Sequence, residues 1–107
     1  MAGEDIWTRE SPLDVVEGET LNYDMTWEIG TTFDNPDAKV YRNGRDVTAA
    51  MMPSGTHYLV GRVQYLKSIT GFKSDNVYIV AIQCDVDANT EIRKLQLNCQ
   101  SPGKVQA

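Results

Sequence analysis

The chain has 107 residues, of which 41% are hydrophobic and 23% charged, with 10 Lys and Arg against 15 Asp and Glu for a formal net charge of −5. That length matches one ordinary domain with no second core, and the composition is globular rather than disordered. No apolar run nears the roughly 18 residues of a membrane span, and the first five residues lack the basic start and apolar stretch of a secretion signal. The basic residues are scattered in an acidic chain, which excludes a nucleic-acid partner as the natural reading.

In chain order, residues 1–12 form an N-terminal arm that is mostly polar yet carries Ile6 and Trp7. Terminal segments fray unless tied down, and a buried aromatic is a strong anchor, so Trp7 is expected to dock on its own sandwich edge or on a neighbouring subunit. "LDVV" is a short strand candidate. In "TLNYDMTWEI", Leu21, Tyr23, Met25, Trp27 and Ile29 alternate with polar residues, which predicts a strand with one dry face. Asn35-Pro36 signals a turn. In "YRNGRDV", Asn43 and Gly44 tolerate the positive φ that a two-residue type I′ hairpin requires, so Arg42 is expected opposite Arg45 and Val40 opposite Val47. The turn accounts for Asn43 and Gly44 but not for the arginines, because like charges directly opposite are unfavourable. They are either a solvated tip, with Asp46 softening the repulsion, or a basic knuckle that meets an acidic partner.

Further along, Pro53-Ser54-Gly55 and Asp75-Asn76 mark turns, and "HYLVG" and "VQYLKSI" are short strands. "VYIVAIQCDV" places Tyr78, Val80, Ile82, Cys84 and Val86 on one side and Ile79 and Ala81 on the other, as in a central strand covered on both faces. "EIRKLQLNC" puts Leu95, Leu97 and Cys99 on one face, joined to the preceding strand by a hairpin turn over Asp87–Thr90. By that register Val86 opposes Glu91, Cys84 opposes Arg93 and Cys99 opposes Tyr78. An offset of about 20 Å between the two cysteines is beyond disulfide reach, so both are expected as free, buried thiols.

Catalytic chemistry has little to stand on. His57 is the single histidine and has no nucleophile or paired carboxylates spaced around it, so the chain reads as non-enzymatic, with no catalytic residues and no cofactor. Asp85, Asp87, Asn89 and Glu91 alternate as at the start of a calcium loop, but Thr90 stands where the sharp turn needs Gly and Gln96 where a bidentate Glu is needed. Residues 85–91 read instead as an Asp- and Asn-rich hairpin, and no metal ligand set is assigned.

Short strands with turns about every ten residues predict an all-β chain, an immunoglobulin/fibronectin III-like antiparallel β-sandwich of about seven strands over residues 13–100, with a tail at 101–107. The segment "ITGFKSDNVYIVAI" resembles the corner of such domains. Phe72 would plug the end of the sandwich, and Tyr78 would fold its hydroxyl back to the backbone, with Ser74-Asp75 in place of the usual Pro-Gly. Absence of an inter-sheet cysteine bridge separates the chain from antibody domains.

From Trp7 to about Cys99 the chain also resembles small virion proteins of tailed bacteriophages, through "IWTRESPLDVVEGETLNYDMTWEI", "NPDAKVYRNGRDVT" and "ITGFKSDNVYIVAIQCDVDANTEIRKLQL". The resemblance implies an immunoglobulin-like accessory domain of the fibre-to-tail adaptor type. It would be made in the host cytoplasm, then built into the virion through contacts with other virion proteins or copies of itself. On this reading Trp7, Arg42 and Arg45 are the candidate contact residues. The alternative is a soluble or cell-surface binding module for carbohydrate or protein, which exposed aromatics converging on a loop end would favour, whereas most aromatics of this chain are expected on inward faces.

Overall fold

Two runs of alternating side chains set the two layers of the sandwich. The computed structural model describes residues 7–52 and 57–101. Residues 1–6 of the arm, the Pro53-Ser54-Gly55 turn and tail residues 102–107 therefore lie outside the described residues. In chain order the elements are β1 (Leu13–Val16), β2 (Leu21–Thr26), β3 (Phe33–Arg42), β4 (Arg45–Asp46), a single helical turn α1 (Thr48–Met51), β5 (His57–Val60), β6 (Val63–Ile69), β7 (Asn76–Val86) and β8 (Asn89–Gln100). One sheet runs β1-β8-β7-β3-β4 and the other β2-β6-β5. All pairings are antiparallel except β1 with β8, which is parallel. The all-β sandwich expected from the sequence is therefore present, with one parallel margin.

The core lies between the sheets. From β7, Tyr78, Val80, Ile82, Cys84 and Val86 face inward, and from β8 Leu95, Leu97 and Cys99 do the same. Leu21, Tyr23, Met25 and Trp27 meet them from the other layer together with Leu66 and Ile69. Each large apolar side chain buried there contributes roughly 1.5–3 kcal/mol. Cys84 and Cys99 are buried free thiols. Burial raises the pKa of both, which leaves little reactive thiolate.

At the centre one amide joins the layers. Gln64 on β6 is fully buried. It accepts from Trp27 Nε1 at 3.0 Å and donates to the carbonyls of Asp37 at 2.9 Å and Gln83 at 3.2 Å, on β3 and β7 of the opposite sheet. Both amide hydrogens and the oxygen are thus satisfied. A buried polar group is tolerated only on that condition.

Four local expectations are corrected. The hairpin between β7 and β8 turns on two residues, Asp87 (φ 49) and Ala88 (φ 69), so Val86 pairs with Asn89, Cys84 with Glu91 and Tyr78 with Leu97. Cys99 accordingly pairs with Asn76, still at the far end of β7 from Cys84. Asp87 is held from outside by Thr31 and Thr32, which stabilises the tight turn without glycine. Asn35 (φ 52) does not turn the chain but sits in an irregularity of β3 between Asp34 and Asp37. Ile29 is 45% exposed rather than inward, because β2 stops at Thr26 and the chain bends at Ile29 itself. Gly30 (φ 82) approaches so closely that a Cβ there would collide with Val86 Cγ1. Finally, Tyr58 and Tyr65 turn to the outer face of the three-stranded sheet, against the expectation that most aromatics face inward.

Candidate functional site

The tip of the β3–β4 hairpin is built as the sequence predicts. Arg42 pairs with Arg45, Val47 N donates to Val40 O at 2.8 Å, and Asn43 (φ 48) and Gly44 (φ 87) make the turn. Asn43 then clamps the tip to β7. Its Nδ2 donates to Asn76 Oδ1 at 2.8 Å, its Oδ1 accepts from Val77 N at 3.3 Å, and its backbone N donates to Val77 O at 3.1 Å. Asn76 in turn donates to the carbonyls of Lys73 and Ser74. The tip is therefore held to β7 by both side-chain and backbone bonds of Asn43.

The Asp46 carboxylate turns to Thr48. Its Oδ1 accepts from Thr48 Oγ1 at 2.7 Å and Thr48 N at 2.9 Å, and those bonds lower its pKa. Thr48 Oγ1 also accepts from Val40 N at 2.9 Å, so the acid serves the turn into α1. Neither guanidinium has an acidic partner among the described residues. A like-charged pair on a rigid support, Arg45 exposed and Arg42 half-buried, is the feature of this region that folding does not require.

Beside the tip lies the corner. Tyr78 is fully buried, and its hydroxyl accepts from Lys73 N at 2.9 Å. Phe72 packs edge-on against the Tyr78 ring with centroids 5.2 Å apart. Tyr78 thus bonds back to the backbone with Phe72 buried beside it, and Asp75 (φ 64) supplies the bend without a Pro-Gly pair.

Trp7 is placed at the opposite margin of the five-stranded sheet. It forms an isolated parallel bridge to Lys94, Thr8 N donates to Lys94 O at 2.8 Å, and Gln96 N donates to Ser11 Oγ at 3.0 Å. Residues 7–11 thus continue β1 along β8, on the chain's own sandwich. Trp7 is nevertheless 44% exposed. It lines a groove of ≈ 430 Å³ between the arm and β2, with Tyr23, Met25, Ile29 and Arg93. Tyr23 donates its hydroxyl to Glu10, and burial together with that bond pushes its pKa up to about 12. The structure does not bring Trp7 and the two arginines into one site. Sequence reasoning misses Ile29 as a groove residue because the alternation of β2 runs on through it.

The acidic hairpin is structural. Asp87 accepts from Thr31 and Thr32 at both backbone and hydroxyl groups, which lowers its pKa to about 2. Asp85 accepts from Asn35 Nδ2 and Thr90 Oγ1, each at 2.9 Å. Among the described residues no three His, Cys, Asp or Glu side chains are grouped to hold a metal, and no helix is long and apolar enough to cross a membrane.

Comparison with known proteins agrees with this topology. No family model and no curated protein matches the chain. A solved structure, the titin domains Z1Z2 in complex with telethonin, superposes with a TM-score of 0.55 at 13% identity, over 85% of this chain and 44% of that one. The chain spans less than half the length of that neighbour. At such identity the likeness speaks to fold alone, and with the sheet order it defines an all-β, immunoglobulin-like sandwich.

Proposed function

We propose that the chain is a non-enzymatic protein-contact domain whose clamped hairpin tip presents Arg42 and Arg45 to an acidic surface of a neighbouring protein. The observation that carries this reading is the pair of guanidinium groups left without acidic partners among the described residues, in a chain of net charge −5, on a tip fixed by Asn43 and Asn76. Rigid presentation lowers the ordering cost of a contact, and complementary charge steers and orients the encounter. The working setting is an accessory or adaptor position in a tailed-phage virion, which the sequence resemblance suggests. A sugar-binding module is the less favoured alternative, because Tyr58 and Tyr65 stack on each other on a sheet face rather than gathering at a loop end.

The test follows the wild-type chain and the double variant Arg42→Ser/Arg45→Ser into purified phage particles. The wild-type chain is expected to co-purify, and the variant to be incorporated less, with the deficit largest at low salt and shrinking as salt is raised over the wash series. A wild-type chain absent from particles removes the virion setting. Equal incorporation of the two at every ionic strength removes the tip as a contact.

A further inference from the structure

The outer face of the three-stranded sheet carries an arrangement that the basic tip does not use. Tyr58 on β5 stacks on Tyr65 of β6 with centroids 5.0 Å apart and planes 21° from parallel, and Lys67 lies 5.2 Å from the Tyr65 ring. The centroid separation matches the spacing of about 4.8 Å between neighbouring strands. The rings therefore form a ladder across the sheet, capped by Lys67 at one end and open at the β5 edge. Tyr58 is 45% exposed and Val60, on the same face, 58%.

Among the described residues, no strand pairs with the outer edge of β5. Trp27 N donates to Arg62 O at 2.8 Å, so by antiparallel alternation Gln64 and Leu66 bond toward β2, while Val63 and Tyr65 bond toward Val60 and Tyr58. His57 and Leu59 are left with N–H and C=O groups pointing away from β6, at the margin of the sheet. Natural edge strands are blunted by charges, proline or bulges. The four residues His57, Tyr58, Leu59 and Val60 contain no Asp, Glu, Lys, Arg or Pro.

We infer that the β5 edge pairs antiparallel with β5 of a second copy of this chain. A two-fold axis at Tyr58 sets His57 opposite Leu59 of the other copy, where the outward N–H and C=O groups meet, and sets the two Tyr58 side chains opposite each other. The ring ladder then continues from one molecule into the next. A neutral strand suits this occupant, since the net charge of −5 repels copies that approach through any acidic surface. Two four-residue strands cover less than the roughly 1,200–2,000 Å² of a stable complex, so the pairing is weak between free chains and gains strength where copies are held together.

Disulfide trapping tests the pairing. A two-fold at residue 58 brings the two Cα atoms to about 4.5 Å, within the span of about 4.4–6.8 Å that a disulfide bridges. Both native thiols are buried. Under mild oxidation Tyr58→Cys is expected to form covalent dimers about tenfold faster than Val77→Cys, a comparably exposed position on the other sheet. Equal rates overturn the inference. Because Tyr58→Cys removes the ring, the unaltered chain provides a second readout by amide hydrogen exchange. Exchange at His57 and Leu59 should slow as protein concentration rises, and Val60→Lys should abolish that dependence. Exchange that is independent of concentration in the unaltered chain also overturns it.

Discussion

The sandwich carries two tight hairpin tips with the same backbone and opposite uses of charge. At Asp87–Ala88 and at Asn43–Gly44 two successive residues have positive φ. At the first, the charged side chain is consumed by the fold, because Asp87 binds the neighbouring Thr31–Thr32 loop through four donor groups. At the second, the neutral Asn43 does the fastening and the charges beside it are left over. A charge with a full set of internal partners needs no functional explanation, whereas a repulsive pair that the turn does not require asks for one.

The comparison breaks first at Asp87. Asp87→Ala removes the bonds that hold Thr31 and Thr32 and is expected to lower the melting midpoint more than Tyr78→Phe or the loss of both tip arginines. Asp87→Asn keeps an acceptor and should fall between alanine and the wild type. The carboxylate is held at about 2 against an ordinary 3.8. Its contribution is therefore complete above about pH 4 and is lost as pH falls toward 2, since the unfolded state binds the proton first. The acid limb of a stability–pH profile should be shallower for Asp87→Asn. A silent Asp87→Ala would erase the distinction between the two tips.

A smaller effect is expected beside the arginine tip. Tyr78→Phe takes the acceptor from Lys73 N and should cost about 1 kcal/mol in equilibrium unfolding, leaving the packing against Phe72 in place. An unchanged midpoint would show that the corner contributes nothing to the support of the tip. Smallest of all is the effect of Arg42→Ser/Arg45→Ser on folding, expected within about 0.5 kcal/mol of wild type. A slight gain fits the relief of like charge across the pair. A large loss would place the arginines among structural residues and remove the contrast with Asp87.

Much of this molecule is written locally. The alternation of Leu21, Tyr23, Met25 and Trp27, the inward series from Tyr78 to Val86, and the Asn43–Gly44 turn follow from side-chain period and φ preference, which need only neighbours along the chain. The spacing of Phe72 and Tyr78 is likewise enough to place the corner. Tertiary structure decided what depends on remote partners. Whether residues 87–90 turn tightly rests on Thr31 and Thr32, more than fifty residues away in sequence. That Gln64 is a buried junction follows from the carbonyls of Asp37 and Gln83 facing it across the sandwich. That Tyr58 and Tyr65 look outward depends on their pairing across β5 and β6, since the period of a strand tells which residues share a face but not which face meets the core.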